Sequence, residues 1–365
     1  MLTKLLSRRD FGDLAGWDDG DHRPALAAFR RSAAQFLAGA VDTGSLGITA
    51  DAFRPAALAA ATAPDETARM FFQTHFVPAL LSPEEPGRQG FLTGYYEPEV
   101  EARLVPDARF RFPLYRPPED LVKVDDDTRP EGLDASFRFA RRDAAGRLDE
   151  YPDRGQIEAG YLAGRGLEIA WLDSPVDAFF IHIQGSARLR LDDGRRLRVT
   201  YAAKTGHAFT AIGRLLVEEG ELTLVEADMD GIRAWLAAHP TRLRGLLDRN
   251  RSFIFFREAA VEDETLGPVA AAKVPLTPMA SIAVDRLLHT FGTPFFIDAP
   301  ALTLAGAPFR RLMIAQDTGS AILGPARADI FVGSGEAAGR EAGRVRHPGN
   351  FFLLLPTALA DALDR

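Results

Sequence analysis

Apolar residues recur at helical spacing in the first part of the chain. Between about residues 22 and 80 they lie three or four positions apart, which is typical of amphipathic helices. The positions that share one face are Ala25, Leu26, Phe29, Ala33, Phe36 and Leu37. A second run, from Asp65 to Leu81, repeats the spacing, and Asp65 after Pro64 is a suitable N-cap. The pattern therefore predicts a helical N-terminal part.

The pattern changes at Gly90 from helical spacing to alternation. The segment GFLTGYYEPEVEARL alternates apolar and polar positions and is rich in aromatic residues, which predicts a strand with a bend at Gly94. Residues 105–153 carry many prolines and charges and predict a linker followed by loops. Further along, the spacing predicts helices over 207–219, 228–238 and 240–248, and a strand over 251–257.

A β-hairpin is predicted in the middle of the chain. Asp193-Gly194 lies between two apolar runs, which is a strong signal for a tight turn that joins two strands. In the first of these runs, IHIQGS is interpreted as a strand that places His182, Gln184 and Ser186 on one polar face. That face either lines a groove or faces solvent.

The composition of the sequence changes near residues 105 and 245. The parts before and after these breaks share turn-rich, glycine-containing strands. The simplest organisation is a domain built from both ends of the chain, 1–105 and 245–365, with a second domain, 106–244, inserted into it. We therefore expect a mainly β protein with N-terminal helices.

Composition excludes several classes of function. The net charge is −8 and no basic stripe is present, so we expect no nucleic-acid partner. The chain has no cysteine, which excludes thiolate nucleophiles, cysteine zinc sites and disulfides. Its seven histidines are scattered without metal-binding spacing, so no metal site is predicted. The N-terminus, as written, has no apolar run long enough for a signal peptide or membrane span.

Two aspartates near the C-terminus are the sharpest candidates for chemistry. Asp317 follows an apolar strand, Asp329 precedes another, and twelve positions separate them. If turns at Gly319 and Gly324 fold the segment back, the carboxylates approach each other and the pKa of one rises. A carboxylic acid that stays protonated near neutral pH can protonate a glycosidic oxygen. The alternative is that both are turn and cap aspartates of a glycine-rich loop.

A second candidate site follows Gly94. Tyr95, Tyr96 and Glu97 combine aromatic faces with a polar edge, which suits the stacking and hydrogen bonding of sugar rings. Two core tyrosines on a strand explain the same residues equally well. The residues alone leave both interpretations open.

Several of these segments occur in one order and together resemble the MltA family of lytic murein transglycosylases. The resemblance covers nearly the whole chain. The matching segments are DFGDLAGW near the start, GYYEPEVEA at 94–102, DRGQIEAG at 153–160, FFIHIQGSARLRL at 179–191, YAAKTGHAFTAIG at 201–213, NRSFIFFRE at 250–258, GPVAAAKVPLTPMASIAVD at 267–285 and AQDTGSAILGPARADIFVGSG at 315–335.

This resemblance implies a fold and a substrate. The outer domain is expected to be a double-psi β-barrel made from both chain ends, and the inserted domain a smaller β-barrel-like unit. The substrate is the glycan strand of peptidoglycan, held in a long groove. The family also implies a monomer located in the periplasm or at the outer membrane, active in cell-wall turnover without a metal or cofactor.

The resemblance also assigns roles to residues. Asp329, before Ile330 and Phe331, is the implied catalytic acid, and Asp317 is its polar neighbour. Asp285 is the third acid of the three-aspartate (3D) region and is expected to be more structural. Some family members have an aromatic residue where Ala328 stands. The residues that we predict to bind the substrate in the groove are Tyr96, Glu97, Gln184, Ser186 and Asp285.

The implied reaction cleaves the bond between N-acetylmuramic acid and N-acetylglucosamine. One aspartate protonates the leaving oxygen, the sugar's own C6 hydroxyl attacks C1, and a 1,6-anhydro sugar results. Two alternatives remain from the residues: a glycoside hydrolase that uses Asp317 and Asp329 as a carboxylate pair, and a non-catalytic cell-wall-binding protein.

Overall fold

The computed structural model of the protein describes residues 5–83, 89–304 and 306–362. The strands, numbered in chain order, are β1 Leu6–Arg8, β2 Phe76–Leu81, β3 Gly90–Glu97, β4 Glu99–Glu101, β5 Phe112–Tyr115, β6 Leu121–Lys123, β7 Phe139–Arg142, β8 Leu148–Asp149, β9 Glu168–Leu172, β10 Ser186–Arg190, β11 Arg196–Lys204, β12 Ile254–Ala259, β13 Ser281–Val284, β14 Pro294–Leu304, β15 Ala307–Asp317, β16 Arg327–Ser334 and β17 Arg346–Pro356. The helices are α1 Arg23–Leu37, α2 Arg54–Ala60, α3 Ala68–His75, α4 Arg154–Gln156, α5 Pro175–Gln184, α6 Ile212–Glu218, α7 Met229–Ala238, α8 Pro240–Asp248 and α9 Glu336–Gly343.

The chain divides into two compact units. The outer unit runs up to Tyr96 and resumes at Asp263, and the central unit is Glu97–Glu262. The outer unit is therefore built from both ends of the chain. The expected breaks near residues 105 and 245 both lie inside the central unit.

Six strands of the outer unit form a closed ring. Their order is β17-β14-β15-β13-β16-β3, and β3 pairs back to β17, with Arg346 opposite Thr93. β2 pairs with the last part of β17, from Phe351 to Pro356, and β1 pairs with β2. Closure satisfies the backbone groups that a sheet edge would leave unpaired. A mainly β fold with N-terminal helices is thereby confirmed, and the double-psi connection stays a prediction.

The N-terminal helices cover this ring through an aromatic cluster. Phe29 of α1 lies 6.1 Å from Phe72 of α3 and 5.7 Å from Phe76 of β2, measured between ring centroids. Phe36 stacks on Phe53 at 4.6 Å. All five rings are buried. Their burial, worth about 1.5–3 kcal/mol for each side chain, holds the helices to the barrel.

One predicted helix ends earlier than its spacing indicates. The sequence predicts a helix from Asp65 to Leu81, but α3 ends at His75, and Phe76–Leu81 is strand β2. Pro78 explains the difference, because proline disrupts a helix interior. Asp65 is not the cap either: it lies in a short 3₁₀ turn capped by Pro64, and it forms an ion pair with Arg30.

The central unit contains three small sheets. Four strands are ordered β12-β11-β10-β4, β5 pairs with β9, and β6, β7 and β8 form the third sheet. The predicted hairpin is confirmed, with Arg190 of β10 opposite Arg196 of β11. The prediction of loops over 105–153 is wrong in part, because β5 to β8 lie within it.

The segment before this hairpin is a helix, contrary to the predicted strand. Pro175–Gln184 forms α5, and Ser186 begins β10. The Ser174 side chain accepts a hydrogen bond of 3.1 Å from the Asp177 backbone N–H and caps the helix. Gly185, at φ 78°, ends it in the left-handed region. His182, Gln184 and Ser186 therefore do not share one strand face.

Other elements agree with the sequence more closely. The predicted helices at 207–219, 228–238 and 240–248 correspond to α6, α7 and α8, and the strand at 251–257 to β12. The predicted strand at Gly90 is confirmed as β3, which continues without interruption past Gly94 and ends before Pro98, so the bend at Gly94 stays a prediction. None of the helices in the described ranges is long and apolar enough to span a membrane.

Candidate active site

Three neighbouring strands bring the two predicted aspartates together. Ala283 of β13 is in register with Asp317 of β15 on one side and with Asp329 of β16 on the other. Two strand spacings place the two aspartate Cα atoms about 10 Å apart. Residues in register point to the same face of a sheet. The methyl group of Ala283 is therefore the side chain that β13 places between them.

Asp329 has the most strongly shifted carboxyl group of this pair. Burial among protein atoms raises its pKa from the ordinary 3.8 to about 6, and the charge of Asp317 adds to the rise. The Thr93 hydroxyl donates a hydrogen bond of 2.7 Å to Oδ1 of Asp329. This bond and the positive charge of Arg327 lower the pKa and oppose part of the effect of burial. The side chain thus holds a proton in slightly acidic solution.

Hydrogen-bond donors hold both oxygens of the Asp317 carboxylate. The Tyr95 hydroxyl donates to its Oδ2 at 2.8 Å, and the backbone N–H of Ala271 donates to its Oδ1 at 3.3 Å. Burial raises the pKa of Asp317, while hydrogen bonds from Thr318 and these two groups lower it. Burial and the nearby carboxylates raise the pKa of Tyr95 well above its ordinary value. Tyr95 is therefore a neutral donor that stabilises a negative charge on Asp317.

The end of strand β15 is anchored next to this carboxylate. Gln316 is fully buried, and its Nε2 donates to the Ala28 carbonyl at 2.8 Å and to the Ser32 hydroxyl at 2.9 Å. Its Oε1 accepts a hydrogen bond from the Ser281 hydroxyl. These bonds connect β15 to α1 and β13, and so they fix the position of Asp317.

Arg327 completes the surroundings of Asp329. Its Nη2 donates to the Thr93 hydroxyl oxygen at 2.7 Å, and its Nη1 donates to the Ala328 carbonyl. The guanidinium lies 5.6 Å from the centre of the Phe91 ring. Burial lowers the pKa of Arg327, but arginine keeps its charge at every relevant pH.

The sequence does not single out Thr93 or Arg327, and it singles out Tyr95 only as a candidate for stacking on sugar rings, not as a partner of Asp317. A signal for two of them exists, because the period of two along β3 places Thr93 and Tyr95 on one face and Tyr96 on the other. Arg327 precedes Asp329 by two positions on β16, so the same period places both on one face. The pattern identifies the faces but not which face meets the aspartates.

Tyr96 and Glu97, which the sequence predicts as sugar contacts, are buried. Tyr96 is 7% exposed, and its ring lies so close to Gly339 that a Cβ there would be 2.8 Å from Cε2. Glu97 is 0% exposed. Its carboxylate accepts hydrogen bonds from Arg188 at 2.8 Å and from Arg198 at 2.6 Å. These contacts give both residues a packing role.

Gln184, Ser186 and Asp285 lie in different local settings. Gln184 is the last residue of α5, and buried Ser186 is paired with Thr200 in the hairpin. Asp285 is 7% exposed and accepts hydrogen bonds from the backbone N–H groups of Leu287, at 3.0 Å, and Gly324, at 2.9 Å. It thereby ties the end of β13 to the loop that joins β15 to β16.

Comparison with known families identifies two regions. Residues 91–257 match the MltA specific insert domain, and residues 280–355 match the 3D domain. The first match overlaps the central unit, and the second contains both Asp317 and Asp329.

Individual proteins match over longer stretches. The crystal structure of a membrane-bound lytic murein transglycosylase from Agrobacterium tumefaciens is 49% identical, with a TM-score of 0.92, covering 98% of this chain and 99% of that chain. Membrane-bound lytic murein transglycosylase A of Escherichia coli (strain K12) is 34% identical over 269 residues, which are 72% of this chain and 64% of that protein. The match thus spans less than two thirds of the length of this curated relative.

A structure with a bound sugar is also similar. The crystal structure of E. coli MltA with bound chitohexaose is 25% identical, with a TM-score of 0.68, and the match covers 96% of this chain and 91% of that chain. The similarity extends through both units.

Proposed function

We propose that this chain, which belongs to the MltA family, is a lytic murein transglycosylase with Asp329 as its single acid and base. Its substrate would be the β-1,4 bond between N-acetylmuramic acid and N-acetylglucosamine. The observation that carries the proposal is the Asp329 carboxyl group, which has a pKa raised to about 6 and lies beside a second carboxylate.

The first step is proton transfer to the leaving sugar. Asp329 starts in its acid form, which burial and the neighbouring charge of Asp317 favour. It donates the proton to the glycosidic oxygen while the bond to C1 breaks. Positive charge develops at C1 and the ring oxygen, as in other glycosidic cleavages. Asp317, held by Tyr95 and Ala271, supplies negative charge near the developing cation.

The second step closes the sugar on itself. The C6 hydroxyl of the muramic acid residue attacks C1, and Asp329, now a carboxylate, accepts the hydroxyl proton. The nucleophile belongs to the same sugar, so its effective concentration is on the order of 10⁵ M or more. This step yields the 1,6-anhydro product and returns Asp329 to its acid form, so one residue completes the cycle.

Asp317 and Asp329 also support a second candidate, an inverting glycoside hydrolase. Inverting enzymes separate their two carboxyl groups by roughly 6.5–9.5 Å, which leaves room for a water molecule. The two-strand spacing around Ala283 is compatible with that range. The hydrogen bonds that Asp317 accepts from Tyr95 and Ala271 favour a fixed charge over a mobile base, and so they favour the transglycosylase.

The family's names point to a location and a ligand. The curated relatives are named membrane-bound, and one similar structure contains chitohexaose. We expect this protein to act as a monomer on peptidoglycan in the periplasm or at the outer membrane. Tyr96, Glu97, Gln184, Ser186 and Asp285 stay predictions as substrate-binding residues; the burial of Glu97 favours a supporting role for that side chain.

Mass spectrometry of products from purified peptidoglycan tests the proposal. The wild-type protein should release muropeptides with 1,6-anhydro ends, and Asp329→Asn should lower their release by about 10³-fold because the proton donor is gone. Asp21→Asn, which changes an exposed aspartate paired with Arg23, is the matched control and should retain full activity. Reducing ends would indicate the hydrolase, and an active Asp329→Asn protein would show that another residue is the acid.

A further inference from the structure

Three polar side chains form a hydrogen-bond chain that ends on Asp329. Arg327 Nη2 donates to the Thr93 hydroxyl oxygen at 2.7 Å, and that hydroxyl donates to Asp329 Oδ1 at 2.7 Å. This hydrogen-bond chain runs from Arg327 on β16 to Thr93 on β3 and back to Asp329 on β16. It lies on the same face as the pair of aspartates, because Arg327 and Asp329 are two positions apart on one strand.

The direction of this chain is fixed by chemistry. A guanidinium has five N–H donors and no acceptor, so Arg327 can only donate to Thr93. The Thr93 hydroxyl has a single proton, and with its oxygen accepting from Arg327 that proton is directed to Asp329. Oδ1 of Asp329 is therefore held as an acceptor, whether the carboxyl group is ionised or protonated.

A carboxylic acid has one carbonyl-type oxygen and one hydroxyl oxygen, and the carbonyl-type oxygen is the better acceptor. With Oδ1 held as the acceptor, the transferable proton belongs on Oδ2. From this geometry we infer that Arg327 is a positioning residue, which acts through Thr93 to place the catalytic proton of Asp329 on Oδ2. The inference rests on the proposed role of Asp329 as the acid.

The other groups that face Asp329 do not replace this chain. β13 presents Ala283, which has no polar side-chain atom, and β15 presents Asp317, which is an acceptor when ionised. From β3, the Tyr95 hydroxyl donates to Asp317. Arg327 is the cation that acts on Asp329, and its charge opposes the effects of burial and of Asp317.

Arg327→Gln separates this role from simple packing. Loss of the cation should move the descending limb of the pH profile of kcat/KM about one unit to higher pH, because the acid form of Asp329 is favoured. The maximal rate should fall about tenfold, because the proton is no longer confined to one oxygen. Thr93→Val should shift the limb in the same direction, and Thr93→Ser, which keeps the hydroxyl, should restore the wild-type profile.

The control is Arg340→Gln, which removes an exposed arginine paired with Glu336 on α9 and should leave the profile unchanged. If the wild type releases anhydro products and Arg327→Gln lowers the rate without moving the limb, Arg327 is structural and the inference is overturned. An unmoved limb in Thr93→Val overturns it as well, and this holds even if the Arg327 variant does not fold. A wild type without anhydro products would instead refute the proposed function.

Discussion

At the scale of the residue, the acidity of Asp329 results from opposing neighbours. Burial and the charge of Asp317 favour its protonated form, whereas the Thr93 hydroxyl and Arg327 favour the carboxylate. The balance is a pKa of about 6, between the ordinary carboxyl value and neutrality. An acid of this strength holds its proton at mildly acidic pH and still releases it readily, which suits a group that must act as acid and then as base.

The raised pKa of Asp329 predicts that its ionisation lowers the free energy of unfolding at neutral pH. A carboxyl group with a folded-state pKa of about 6 and an ordinary value of 3.8 binds protons more tightly in the folded state. Proton binding by Asp329 therefore stabilises the folded state fully below pH 3.8, and this stabilisation is lost as the pH rises through 6. The free energy of unfolding changes by up to about 3 kcal/mol, and by less because the side chain is partly exposed. Asp329→Asn should therefore raise the free energy of unfolding at pH 7.5, but not at pH 3.5. Urea denaturation at both pH values measures it; an equal effect at both would contradict the shifted pKa.

Tyr95→Phe should move the activity in the direction opposite to Thr93→Val. Without the Tyr95 hydroxyl, the pKa of Asp317 rises further, since one of the hydrogen bonds that lowers it is lost. When Asp317 carries less negative charge, its effect on the pKa of Asp329 weakens and that pKa falls. The descending limb of the kcat/KM profile should therefore move to lower pH. Identical shifts in the Tyr95 and Thr93 variants would show that the charge of Asp317 does not act on Asp329.

At the scale of the element, the sequence predicts strands and helices well where a turn or helix-start signal agrees with the periodicity. The hairpin at Asp193-Gly194 and helices α7 and α8 follow this rule. α5 does not, because its short apolar run fits either a buried strand or a buried helix. The cap at Ser174 and the glycine at 185 contain the information that decides between them.

A pair of glycine substitutions tests that explanation. Both Gly185 and Gly245 have open space where a Cβ would lie, but Gly185 has φ 78° and Gly245 lies inside helix α8. Gly185→Ala should lower the free energy of unfolding by about 1 kcal/mol, because alanine is strained in the left-handed region. Gly245→Ala should raise it by up to about 1 kcal/mol, since alanine favours a helix. Thermal denaturation measures both; a stabilising Gly185→Ala would contradict a left-handed end of α5.

At the scale of the whole molecule, the site is assembled from distant parts of the chain. Thr93 and Asp329 are 236 positions apart, and Tyr95 and Asp317 are 222 positions apart. The central unit lies between them in the sequence, while β3 and β13 to β17 close one ring. The closeness of Asp317 and Asp329 could be predicted on the condition that turns at Gly319 and Gly324 fold back the short segment between them. Their contacts with Thr93 and Tyr95 could not, since no local pattern encodes the pairing of β3 with β16.

The pH dependence of anhydro-muropeptide release by the wild-type protein tests the role of Asp329 most directly. If Asp329 must begin as an acid with a pKa of about 6, kcat/KM should be high below pH 6 and fall tenfold for each further pH unit above it. A rate that instead rises through pH 6 to a plateau at alkaline pH would mean that the essential group acts first as a base, which would contradict a protonated Asp329 as the starting state.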